Sequence, residues 1–154
     1  ENGKWVKKGD MPTAKLSPSC VVNGKIYLVG GMSDSPNPLS TLEEYDPVTD
    51  KWTKKADMPT GRAGLSTSVI NGIVYAMGGQ TASGEKVFLA ERPISLSIVE
   101  KYDPKMNRWT KASKMPTARY AIATEAVNGK IYVFGGSEDT IKPSSKVEEF
   151  TPEQ

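Results

Sequence analysis

The chain has 154 residues, a net charge of +2, 25% charged and 37% hydrophobic residues, one cysteine and no histidine. The length suffices for a domain with a sizeable core, the weak charge gives no basis for a nucleic-acid or anionic-membrane partner, and no apolar run is long enough to span a bilayer as a helix. A lone Cys20 excludes an intrachain disulfide, and the absence of histidine removes the usual general base together with the commonest metal ligand.

The first residues show no signal-peptide pattern, and a start without Met fits a processed or excised chain. The first predicted element is a strand around Trp5, at about residues 4–9, followed by Met11-Pro-Thr. A small, β-branched strand over 16–22 (LSPSCVV) runs into Asn23-Gly24, the pair that favours a type I′ hairpin turn because both residues adopt positive φ. The next strand, KIYLVGG (25–31), is apolar and ends at Gly30-Gly31, as expected where backbone crowds backbone. TLEEYDP (41–47) gives a strand that turns at Asp46-Pro47, and Trp52 marks the strand after it.

The same series then returns. Met58-Pro-Thr, GLSTSVI (64–70), Asn71-Gly72, IVYAMGG (73–79, closing on Gly78-Gly79), IVEKYDP (98–104) and Trp109 follow in order. A third pass gives Met115-Pro-Thr, AIATEAV (121–127), Asn128-Gly129, KIYVFGG (130–136, closing on Gly135-Gly136) and VEEFTP (147–152). The second unit is longer, and its extra residues form a loop over 79–97 carrying Val87, Phe88 and Leu89. Those apolar residues are expected to contact a partner, to fold over the domain, or to extend a strand. No stretch has a sustained helical period with caps.

The ordered set of Gly-Gly, then Tyr45, Tyr102 or Phe150, then Asp-Pro (Thr151-Pro152 in the third copy), with Trp after the first two, resembles the kelch repeat in three copies. The resemblance implies an all-β β-propeller fragment of three four-stranded antiparallel blades around a channel. With the strands of a unit lettered a to d, twelve strands run in the permuted order d-abc-d-abc-d-abc, in repeats of about 4–52, 53–109 and 110–154. Three blades fall short of the roughly four to eight of closed propellers, and a bare blade edge drives association. The expectation is a homodimer closing a six-bladed ring, in which the Trp5 strand of each chain completes the last blade of the other. The alternative is a piece of a longer six-repeat protein.

A basic residue follows each Met-Pro-Thr, at Lys15, Arg62 and Arg119, with Lys15 one residue out of register. In kelch propellers that bind acidic peptides, residues near this junction and just after Gly-Gly line one mouth of the channel. Carried over, the resemblance implies a ligand-binding set of Lys15, Arg62, Arg119, Met32, Gln80 and Ser137, suited to a protein or acidic peptide. The competing reading pairs the three cations with the recurring Glu43, Glu100 and Glu148.

The tyrosine and tryptophan rows (Tyr27, Tyr75 and Tyr132; Trp5, Trp52 and Trp109) are most simply core, and Cys20 an inert buried thiol. Kelch copper oxidases need histidine ligands, so that site is excluded. Asp34, Glu138 and Asp139 are the loop carboxylates that a sugar-active site would use, but nothing pairs them. The expected function is a non-catalytic interaction scaffold without cofactor or metal, binding through the loop face around the channel. The alternative is a carbohydrate- or small-anion-binding or isomerising site at the mouth. A cytoplasmic setting is the default, and no ubiquitin-ligase adaptor domain lies within these residues.

Overall fold

The computed structural model describes residues 3–87, 90–138 and 142–153, with backbone alone at 83–87 and 90–92. The first blade is a sheet ordered β1 (Ser19–Val22), β2 (Lys25–Gly31), β3 (Leu39–Asp46) and β4 (Lys51–Lys54). The chain then forms β5 (Ser66–Ile70) and β6 (Ile73–Met77), the hairpin β7 (Gln80–Val87) and β8 (Ala90–Ser95), then β9 (Val99–Asp103) and β10 (Arg108–Lys111). Of these, β5, β6, β9 and β10 make the second blade, while β7 and β8 pair only with each other. The third blade has β11 (Ala123–Val127), β12 (Lys130–Phe134) and β13 (Val147–Phe150), and no fourth strand among the described residues. All pairings are antiparallel. No helix among the described residues is long and apolar enough to cross a membrane.

Turn chemistry sets the register. Asn23-Gly24, Asn71-Gly72 and Asn128-Gly129 all have positive φ, 50–52° at each Asn and 75–78° at each Gly, the type I′ geometry the sequence predicts. Asp46 Oδ1 accepts the backbone N–H of Val48 at 2.9 Å, and Asp103 Oδ1 that of Lys105 at 2.8 Å. These Asx bonds stabilise the turns that open with Asp-Pro.

The core lies between blades. One cluster joins Val22, Tyr27, Val29 and Leu42 of the first blade to Val74, Ala76, Tyr102 and Trp109 of the second. A second joins Tyr75, Met77 and Val99 to Ile122, Ile131 and Val133 of the third. Strand alternation explains the pattern, since each central blade buries both faces. Backbone approach at Gly-Gly sets the spacing. Gly78 has φ +59°, and a Cβ there would lie 2.5 Å from the carbonyl oxygen of Arg119 in the next blade.

One expectation is corrected. The stretch over 79–97 is largely a β-hairpin rather than a loop; Phe88 and Leu89 lie outside the described residues, as does the side chain of Val87. In the single chain the segment around Trp5, expected to pair with the last blade of a second copy, forms no strand, and Trp5 is 100% exposed. A strand needs a neighbouring edge for its backbone groups, and among the described residues no third strand of a blade lies beside this segment.

Gly78→Ala and Gly72→Ala separate the two requirements on glycine. Both lose a left-handed conformation that costs a side chain roughly 1–2 kcal/mol, but Gly72 has nothing within 4 Å of the added Cβ. Urea unfolding is expected to show clearly the larger loss for Gly78→Ala.

Candidate functional site

The d-to-a junctions and the b-to-c connections meet at one end of each blade. Isolated bridges join Leu16 to Met32, Ala63 to Gln80 and Tyr120 to Ser137, so each residue after Gly-Gly is held against its own junction. The structure thus brings the predicted set together along the backbone. Its side chains diverge: Met32 is exposed, Ser137 is buried with its hydroxyl donating to the Lys142 carbonyl (3.2 Å), and Gln80 Oε1 is buried without a hydrogen-bond partner.

The basic row is closed inward. Lys15 Nζ lies 3.0 Å from Glu43 Oε2, Arg62 Nη1 3.2 Å from Glu100 Oε2, and Arg119 Nη2 2.7 Å from Glu148 Oε2, with all three cationic side chains 0% exposed. Arg62 also donates to the Ala76 carbonyl (2.9 Å), and Arg119 to those of Gly135 (2.7 Å) and Lys146 (3.0 Å). The threonines of Met-Pro-Thr complete the carboxylates: Thr13 donates to Glu43 at 2.8 Å and Thr60 to Glu100 at 2.9 Å. Burial pulls the Arg62 guanidinium down to about 10, against the opposing pull of Glu100, so it stays charged at neutral pH. Of the two readings of this row, the pairing with the strand-c glutamates is the observed geometry. Ligand-facing heads at Lys15, Arg62 and Arg119 are not, because the two arginines are enclosed between their carboxylates and backbone carbonyls, and Lys15 between Glu43 and the Thr41 hydroxyl.

This end also leaves apolar side chains open, next to exposed polar ones at Asp34, Ser35 and Asn37. Leu16 and Met32, bridged to each other, are both exposed, and the β7–β8 hairpin begins at the corresponding place of the second blade, at Gln80. Of the loop carboxylates, Glu138 is paired with Lys146 at 2.7 Å and Asp139 lies outside the described residues. Cys20 packs against the first core cluster, and burial pushes its thiol up to about 12, partly opposed by a hydrogen bond with Thr67. It is poorly suited to be a nucleophile.

A second constellation, at the outer edge, escaped the sequence reading. Asp50 and Asn107 sit two residues before Trp52 and Trp109 with φ of +56° and +48°. The Tyr45 hydroxyl donates to Asp50 Oδ1 (2.6 Å) and that of Tyr102 to Asn107 Oδ1 (2.8 Å). The same oxygens accept the backbone N–H of Gly9 and Ala56, each at 2.9 Å. The indoles donate back to the carbonyls of Gly9 (3.1 Å) and Ala56 (2.8 Å). The recurrent Asx at this offset from Trp was the available signal.

A model of the Kelch motif matches residues 15–59, 61–116 and 118–154. Kelch-like protein 25 of Xenopus tropicalis is 30% identical over 150 residues, covering 97% of this chain and 25% of the relative. Kelch repeat and BTB domain-containing protein 12 of Homo sapiens is 31% identical over 150 residues, covering 88% and 24%. Beta-scruin of Limulus polyphemus is 25% identical over 135 residues, covering 87% and 14%. The chain therefore spans about a quarter or less of the length of these relatives. Among solved structures, that of YjhT matches with a TM-score of 0.67 and 28% identity, over 87% of this chain and 37% of that one.

The ion-pair row makes a stability prediction. Arg62→Ala strands Glu100 as a buried, uncompensated charge and is expected to cost about 3–5 kcal/mol in urea unfolding. Removing both charges, as Arg62→Met with Glu100→Leu, should recover most of that loss. A stable Arg62→Ala protein would show that the row does not hold the blade.

Proposed function

The chain belongs to the kelch-repeat family, and on that premise we propose that it is a non-catalytic scaffold that binds a protein or peptide at the d-to-a and b-to-c end of its blades. The observation that carries this reading is the division of labour at that end. The cations are spent on internal pairs, while Leu16 and Met32 remain open to solvent beside each other. Apolar contact, with the β7–β8 hairpin as a flanking arm, then sets the chemistry of the partner. An acidic peptide gripped by Arg62 and Arg119 would first have to displace Glu100 and Glu148. Contiguous exposed apolar surface rimmed by polar residues is a mark of an interaction site.

The same reading includes a homodimer closing a six-bladed ring. It is supported by the third blade, whose β13 has no outer neighbour among the described residues, and by the fully exposed Trp5. Unpaired strand edges and bare aromatic side chains favour association.

Peptides selected from a random displayed library on the purified protein test the binding face. Their affinity is expected to fall at least about tenfold in a Leu16→Asp, Met32→Asp variant. It should persist in Val48→Asp, a control in the exposed turn at the opposite end of the first blade. Peptides indifferent to the first pair, or saturable binding of citrate or a monosaccharide instead, would overturn the reading in favour of an anion or sugar site. Light scattering tests the ring, with twice the mass of one chain expected.

A further inference from the structure

The three units differ in one charge relationship that the shared motifs do not require. In the first blade Glu44, on β3, is 7% exposed at its side chain and gathers three partners. Lys25 Nζ and Lys55 Nζ each lie 3.2 Å from it, and the Tyr27 hydroxyl donates to it. Lys55 comes from the chain just after β4. Its backbone N–H donates to the Leu42 carbonyl at 2.9 Å, which fixes the lysine beside Glu44.

In the second blade both ends of this pair change together. Lys101 stands where the first blade has Glu44, and Ala112 where it has Lys55. The backbone bond is kept, from Ala112 N–H to the Val99 carbonyl at 3.0 Å. The strand-c charge and the residue three after Trp are therefore matched within each complete blade.

The third blade has the Glu44 arrangement with one member missing. Glu149, on β13, accepts from Lys130 Nζ at 2.6 Å and from the Tyr132 hydroxyl at 2.7 Å, the counterparts of Lys25 and Tyr27. No counterpart of Lys55 is present among the described residues, and the Glu149 side chain is 42% exposed. A fitting segment exists at the other end of the molecule. KWVKKGDMPT (4–13) matches KWTKKADMPT (51–60) except at Val6 and Gly9, and it carries Lys8 where the latter carries Lys55. It differs from RWTKASKMPT (108–117), which has Ala112 at that place.

Its base is already set as in a complete blade. Gly9 is held by Asp50 and Trp52 of the first blade as Ala56 is held by Asn107 and Trp109 of the second. The residues before it, Trp5 and Val6, are exposed. Gly3, two residues before Trp5, has φ +54°, the conformation of Asp50 and Asn107 at the same offset.

We infer that β13 is a docking edge for residues 4–10 of a second copy of this chain, in a register selected by Lys8 of one copy against Glu149 of the other. The register follows from β3 and β4, where Tyr45 faces Trp52 and Glu43 faces Lys54. It sets Trp5 against Phe150 and Lys7 against Glu148, and sends the Lys8 backbone N–H to the Val147 carbonyl. Trp5 then stacks on Phe150 as Trp52 does on Tyr45, with ring centroids 4.8 Å apart there. The cleft of about 610 Å³ lined by Tyr75, Lys101, Thr110, Thr151 and Pro152 borders the same edge. This inference rests on the pairing of copies proposed above and adds what selects the partner.

Charge reversal tests it. Lys8→Glu and Glu149→Lys each place like charges at the pair, which a two-fold dimer contains twice. Sedimentation of each variant alone is expected to show a dimer dissociation constant raised about tenfold or more. Mixed together, the two variants restore opposite charges at both contacts, so native mass spectrometry is expected to show the heterodimer in excess over either homodimer. Lys8 is exposed in the single chain, next to the Gly9 that Asp50 and Trp52 hold, so urea unfolding of each variant is measured beside its mass, and an unchanged midpoint separates lost pairing from a folding defect. A parent protein that stays monomeric at every concentration overturns the pairing of copies and this inference with it. A parent dimer indifferent to both reversals, with statistical mixing, overturns the Lys8–Glu149 selection alone.

Discussion

Neighbouring blades are fastened to each other through the main chain of one arginine. The carbonyl of Arg62 accepts the N–H of Gly31 in the preceding blade at 3.0 Å, and that of Arg119 accepts the N–H of Gly79 at 2.9 Å. The side chains of the same two residues turn the other way, into their own blades, to meet Glu100 and Glu148. One residue thus fixes the distance to the blade before and the seating of its own third strand. The enclosure of the guanidinium follows from that double duty, because a side chain swung toward a ligand would leave a buried carboxylate without its counter-charge. The basic row is better understood as framework than as a grip.

The outer edge carries a second fastening, of Asx, Tyr and Trp, between consecutive blades. Together with the apolar clusters it makes the stabilising contacts of the described residues either internal to a blade or shared with the next one. Such a stack behaves as a nearly one-dimensional array, in which end units lack half their neighbours. The consequences are visible at the third blade. A Cβ on Gly135 would meet only the Ser144 carbonyl, at 3.3 Å, whereas one on Gly78 would meet the next blade. Phe134 and Val147 are exposed where Met77 and Val99 of the second blade are buried.

Much of this was legible in the sequence because the responsible groups are local. Asn-Gly dictates its turn through its own φ values, and the spacing of Gly-Gly, Asp-Pro and Trp follows from the antiparallel register. What escaped depends on neighbours. Whether Arg62 faces Glu100 or a ligand cannot be told from two residues that serve either arrangement equally well. Asp50 and Asn107 read as ordinary turn residues until the indole of Trp52 or Trp109 and the backbone of Gly9 or Ala56 are seen to converge on the same place. The hairpin over Gln80–Ser95 was hidden because Gly84 and Pro93 interrupt its alternation. Trp5 was rightly aligned with Trp52 and Trp109 as a repeat position, but burial is a property of its surroundings rather than of its motif.

The β7–β8 hairpin occurs in one unit of three, so the molecule's interior regularity is broken at a single place on its loop end. In a ring assembled from two copies it would appear twice, half a turn apart, across the channel. A partner that met both arms at once would gain avidity from geometry alone, since its second contact would form at the high effective concentration set by the first. A partner engaging one arm would leave the other free, and the ring would then act as a bridge between two molecules.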